Sequence, residues 1–278
     1  MIRLLATIAA AVTLVATSAS AFDPAHLKRL KDTNECVGCE LSNVDLTRAE
    51  LSRAELSKAD LTNAELSKAD LTNASLTGAN LTGANLTAAN LRKADLTGAN
   101  LTAANLLAVE LPGADLSGAD LTDADLTNVN LWLANLSNVD LTSAKLDGAR
   151  LVAIKGTPKL SPSFSLVNGI LVGVKANMSG ANLANTDLSN TDLSNANLRK
   201  AYLTGANLSN VELSGADLSG ADLSNANMSA ADLINANLRG TNLDAADLTG
   251  ANLSGTLMKG AILCNTIMPD GSVIYSNC

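Results

Sequence analysis

Ala79-Asn80-Leu81-Thr82-Gly83-Ala84-Asn85-Leu86-Thr87-Ala88-Ala89-Asn90-Leu91 repeats one five-residue phrase almost three times. A small residue comes first, then Asp or Asn, then leucine, then Ser or Thr, then a residue suited to a turn. Working outward from Leu91, every fifth residue is leucine back to Leu41 and forward to Leu151. A second run, in a shifted register, carries Leu or Met at every fifth position from Met178 to Met268. A strict short repeat specifies a solenoid, because one unit cannot bury its own apolar face and must stack on its neighbours.

A period of five fits neither a helix face at 3.6 nor a plain alternating strand at 2. In extended chain, residues two apart point the same way, so the Ala and Leu of Ala-Asn-Leu face inward together. The following residues must turn a corner, a task suited to Asp, Asn, Ser, Thr and Gly, which bond locally to the backbone. The position two before each leucine tests this reading. It is nearly always Ala, with Val at 44, 109, 129, 139 and 211 and Thr at 186, 191, 241, 256 and 266. Nothing large or charged enters the column, and aromatics make up only 2% of the chain, as a narrow interior requires.

These phrases resemble the pentapeptide repeat, and the chain resembles a pentapeptide-repeat protein over nearly all of residues 41–268. That resemblance implies an all-β fold, a right-handed quadrilateral parallel β-helix with four repeats per coil. Residues 20 apart would then stack at about 4.8 Å, giving a rod roughly 50 Å long. The residues outside and between the two runs suggest a division of the chain. Residues 1–21 would be a signal peptide and 22–40 an N-terminal cap. The β-helix would run over 41–151 and 176–268, with an insertion at 152–175 and a C-terminal cap at 269–278.

The segment 1–21 follows another grammar. Arg3 gives a positive start, Leu4 to Ala16 is apolar, and Ala19-Ser20-Ala21 reads as a cleavage site. This is a secretory signal, too short to remain as a membrane span, and cleavage is expected before Phe22. No later segment is apolar enough to span a bilayer. Four cysteines fit an oxidising compartment. A rod of the implied length would hold the two pairs apart, so Cys36 is expected to join Cys39 and Cys264 to join Cys278. Glu35-Cys36-Val37-Gly38-Cys39-Glu40-Leu41 resembles the start of exported pentapeptide proteins of cyanobacterial type, which implies the periplasm or thylakoid lumen. An extracellular destination also fits the signal. Asn-Leu-Ser/Thr sequons occur at Asn80, Asn85, Asn100, Asn135, Asn207 and Asn252. They make eukaryotic secretion less suitable, since dense glycans would hinder stacking.

Both ends need covers, because an open β-helix exposes apolar centres and unpaired backbone. Asp23-Pro24-Ala25-His26-Leu27-Lys28-Arg29-Leu30 reads as a short capping helix with Asp23 as N-cap. His26 is expected to be a solvated member of it. At the far end, Leu257, Ile262 and Ile267 replace the usual Asp or Asn, and residues 269–278 are the segment available to cover them. Two capped ends argue for a monomeric rod. Within 152–175, apolar runs around Asn168-Gly169 predict a hairpin. Trp132 falls one full coil after Pro112 and one before Val152, so the three should share one outer face. Trp132 and Leu133 read most simply as the docking surface of the insertion. The sharper alternative is an interaction patch of Leu107, Trp132, Leu133 and Phe164.

Catalytic chemistry finds little support. His26 is the single histidine, and no Ser-His-Asp set or nucleotide-binding glycine loop can be assembled. No cofactor or metal site is expected. Zinc would need further ligands beside Cys36 and Cys39, and calcium would need a cage rather than rows of carboxylates alternating with Asn. A net charge of −8 argues against nucleic acid as a partner. The reading is an exported, non-enzymatic scaffold for a protein partner. Two alternatives stand beside it. The family resemblance implies a DNA mimic acting on type II topoisomerases, although Arg48, Arg53, Lys58 and Lys68 interrupt the acidic surface. The Cys36-Val37-Gly38-Cys39 motif allows thiol-redox chemistry.

Overall fold

The structure, a computed structural model, describes residues 22–276 and 278. The signal sequence expected at residues 1–21 lies outside the described residues. From Glu35 onward the chain is a column of isolated parallel bridges between residues 20 apart, such as Asn80 to Asn100 and Asn85 to Asn105. Four pentapeptides therefore complete each turn of a β-helix, and each contributes one wall.

The turn chemistry accounts for the period. After Leu81 the chain bends through Thr82 and Gly83, and the Ala84 N–H closes the turn on the Leu81 carbonyl at 2.9 Å. The second turn residue is left-handed, with φ of 65° at Gly83. Such a turn favours Gly or a tolerant residue there, and Asn is the commonest non-glycine residue with positive φ. The Asn80 side chain completes the corner by accepting from the Thr82 N–H at 3.2 Å and from the Thr82 hydroxyl at 2.7 Å. Between coils, the Leu81 N–H donates to the Asn100 carbonyl at 2.7 Å.

The core is one continuous column of leucines and alanines. Leu56 through Leu141 and their alanine or valine partners are almost wholly buried. The threonines in the small-residue column are satisfied rather than strained. Thr186 donates to the Leu183 carbonyl at 2.6 Å, and Thr241 to the Leu218 carbonyl at 3.0 Å.

Helix α1 (Pro24–Thr33) closes the first coil. Asp23 caps it by accepting from the Ala25 N–H at 2.8 Å, and Leu30 is buried. His26 is not merely solvated: its Nδ1 accepts from the Glu40 N–H at 3.0 Å and ties the helix to the ladder. The ladder itself starts earlier than Leu41. Cys36-Val37-Gly38-Cys39 is a pentapeptide turn, with the Cys36 N–H on Glu55, Gly38 at φ 65° and the Cys39 N–H on Cys36. Cys36 holds the leucine position and Cys39 the alanine position. Both therefore point inward, which brings their sulfurs together as a disulfide.

The ladder also outlasts Leu151. Lys155 bridges to Asn135 and Lys159 to Asp140, with Pro158 buried in the small-residue column. The interruption expected from 152 is thus confined to the residues beyond this coil. There β1 (Phe164–Val167) pairs with β2 (Ile170–Gly173). At the turn, φ is 52 at Asn168 and 72 at Gly169. Two successive left-handed residues make a tight primed turn. The buried β2 lies on the preceding coil, its Leu171 N–H donating to Leu151 at 2.9 Å. The ladder then resumes at Lys175, whose carbonyl accepts from the Gly148 N–H at 2.9 Å, and at Asn177, whose N–H donates to the Ala149 carbonyl at 3.3 Å.

At the far end β3 (Leu263–Ile267) pairs antiparallel with β4 (Val273–Ser276), and Cys264–Cys278 fastens the tail. The tail covers only some of the apolar residues expected beneath it. Ile267 is half-buried, whereas Leu257 and Ile262 remain exposed. No helix of the described residues is long and apolar enough to cross a membrane.

Candidate interaction surface

The outer walls are built from the residue just before each centre. From Glu40 to Asp140 that position is Asp, Glu, Asn or Ser without exception. Many of these side chains are engaged rather than free. Asn80 donates to Thr62 Oγ1 at 2.8 Å and to Asp60 at 3.3 Å, and Asn85 donates to Glu65 at 2.8 Å. The Asn80 amide is therefore bonded at both ends, a poor acceptor for a glycan in the folded rod.

Several of these aspartates titrate low for a local reason. The hydroxyls of Thr122, Thr142 and Ser189, joined by the N–H groups of the same residues, hold Asp120, Asp140 and Asp187 below the ordinary carboxylate range. At Asp95, Asp217 and Asp222, burial pushes the other way and is outweighed by the same bonds. These carboxylates stay ionised and occupied in turn chemistry. Among the described residues, no group of three or more His, Cys, Asp and Glu is placed to hold a metal ion.

The departures from this polar pattern mark the candidate surface. Trp132 and Leu133 occupy one corner and are 44% and 42% exposed; Leu107, at the adjacent corner one coil below, is 36% exposed. Pro112, beneath Trp132, is buried, and the Leu133 N–H donates to Val152 above at 3.0 Å. The three residues expected to share a face do so. The insertion does not cover Trp132, however. The hairpin seats on Leu151 and brings its turn against Ala153, one coil higher. Phe164 leaves the patch altogether: it packs against the core and lines a cleft with Asn190, Thr191 and Asp192.

Cys36 and Cys39 are 0% and 1% exposed, so a second thiol has no approach to them. Their geometry speaks for a covalent staple and against exchange chemistry. Sequence reasoning passed over a further feature. The outer position changes to a cation at Lys145, Arg150, Lys155 and Lys159, one on each wall of a single coil. The run of four was visible in the sequence, but only after the ladder is known to continue through 159 does it become a ring.

The sequence profile described as pentapeptide repeats matches eight copies, over residues 39–78, 79–118, 119–152, 176–215, 212–250 and 226–265. Among solved structures, the chain is similar to HetL of the cyanobacterium Nostoc sp. strain PCC 7120, a pentapeptide repeat protein involved in regulating heterocyst differentiation. The identity is 32% over 89% of this chain and 97% of that one, with a TM-score of 0.26. A pentapeptide repeat protein of the Arabidopsis thaliana thylakoid lumen is 33% identical over 35% of this chain and 65% of its own, with a TM-score of 0.28. QnrB1, a plasmid-mediated fluoroquinolone resistance protein, is 18% identical over 74% of this chain and 89% of its own, with a TM-score of 0.32. No curated protein sequence matches.

Proposed function

The chain belongs to the pentapeptide repeat family, and from that premise we propose that it is an exported, non-catalytic scaffold, a right-handed quadrilateral β-helix that binds a protein partner through its outer surface. The observation that carries this reading is the Trp132–Leu133 corner, an adjacent pair of exposed apolar side chains on walls that are mostly polar. A stiff rod presents such a corner at little entropic cost, and Trp is among the residues that dominate protein contacts. Export is supported by the Arg3 and Leu4–Ala16 pattern and by two disulfides. Cofactors have no part in the proposal.

DNA mimicry is less well supported. It needs an unbroken acidic surface, and the cations from Lys145 to Lys159 encircle the rod.

Fractionation of native cells with sequencing of the mature N-terminus tests the first half of the proposal. The expected chain starts at Phe22 outside the cytoplasm; an intact Met1 in the cytoplasm, with reduced cysteines, overturns export. Purification under native conditions tests the second half. A stoichiometric complex is expected, and a partnerless chain overturns the scaffold.

A further inference from the structure

Of the four cations that ring the coil at 145–159, two are neutralised from below. Lys145 pairs with Asp125 and Lys159 with Asp140, each at 3.4 Å. Arg150 and Lys155 differ. They stand over Asn130 and Asn135, and among the described residues neither forms an ion pair. The Arg150 Nε–H is buried without an acceptor. These two occupy adjacent walls, and the corner between them carries Val152 and Ala153 with Trp132 and Leu133 directly beneath. The one corner with exposed Trp is thus the corner flanked by both unpaired cations.

We propose that this corner, Trp132 and Leu133 between Arg150 and Lys155, binds an acidic segment of the protein partner: an apolar side chain set on Trp132 and Leu133, with carboxylates straddling the ridge. This deepens the scaffold reading and rests on it. Charge selects the occupant. Arg150 and Lys155 would gain charge-assisted bonds, while Glu110 and Asp115, in the same columns two rungs lower, restrict the favourable region to a short stretch. A wide polyanion, such as an anionic bilayer, would bring further negative charge within a Debye length, about 8–10 Å, of those carboxylates and of Asp125 and Asp140. A short acidic segment meets the cations without that penalty.

The test is photo-crosslinking in cells making the full chain, with a benzophenone amino acid at position 133 and, separately, at exposed position 202 on another part of the rod. Adducts are identified by mass spectrometry. From position 133 the expected adduct lies on one protein, in a segment where Asp or Glu flanks an apolar residue. Arg150→Glu with Lys155→Glu should reduce it about tenfold or more, and the exposed Lys155→Glu alone several-fold. Lys58→Glu with Lys68→Glu, exposed positions near the start of the rod, should leave it unchanged, and circular dichroism should confirm that each variant folds. An adduct on lipid, on a segment without carboxylates, or insensitive to charge reversal overturns the proposal. Absence of an adduct from 133 overturns it too. If 202 still crosslinks to a protein, the scaffold reading survives the loss of this corner; if neither position does, both readings fall.

Discussion

Leu101→Ala removes one leucine from the middle of the first β-helical segment, where the side chain is 0% exposed and stands in column with Leu81 and Leu121. Losing the equivalent of three buried methylenes costs roughly 2.4 kcal/mol in transfer free energy. The cavity adds to that figure, because the walls cannot close over it. The Leu101 N–H is fixed to Asp120 above at 2.7 Å, and Leu81 below holds the Asn100 carbonyl at 2.7 Å. A site pinned in this way belongs toward the upper part of the usual range for Leu→Ala, so the expected loss is about 3–4 kcal/mol. Leu253→Ala, in the last coil and only partly buried, should cost about half as much. Guanidinium unfolding followed by circular dichroism measures both, provided the m-value is unchanged, since repeat arrays can lose cooperativity. A loss below about 1 kcal/mol at Leu101, or one no larger than at Leu253, would refute the claim that the ladder holds the interior rigid.

Further outcomes follow from the same geometry. At Gly156, φ is +81 and a Cβ would lie 2.6 Å from the Ser137 backbone. Gly156→Ala should therefore destabilise by more than about 1 kcal/mol in thermal unfolding. Mild reductant with maleimide labelling should open Cys264–Cys278 first, because Cys278 is exposed while Cys36 and Cys39 are buried. Removing that outer disulfide by Cys264→Ser should cost about 3 kcal/mol, the chain-entropy value for a loop of roughly 15 residues. Lowered aspartate pKa values contribute stability that is complete above the unfolded value, about 3.9, and lost as pH falls through the lower folded ones. Melting temperature should accordingly be flat from about pH 7 to about 5 and fall below about pH 4; a decline that begins near neutrality would contradict this. Sedimentation should give the monomer mass, and any self-association abolished by Leu257→Asn with Ile262→Asn would place a contact on the uncovered C-terminal wall.

The sequence by itself determined the coil. Its five-residue period, its column of small residues and its Asp or Asn before most centres specify walls, corners and interior, because each requirement is local and recurs. The hairpin at Asn168-Gly169 and the cap at Asp23-Pro24 were legible for the same reason, since a tight turn or an N-cap is decided by adjacent residues, and both cysteine pairs followed from the length of the rod between them. Tertiary structure decided what depends on which coil lies above which. Cys36-Val37-Gly38-Cys39 did not look like a repeat, since cysteines replace its leucine and alanine, and only the bond to Glu55 places it in the ladder. Trp132 looked like a seat for the insertion until stacking put the hairpin on Leu151. Lys145, Arg150, Lys155 and Lys159 became a ring, with two members unpaired, only through the identity of the residue one coil below. In a solenoid the neighbour that neutralises or covers a side chain is a full coil away in sequence, and any break in register reassigns it.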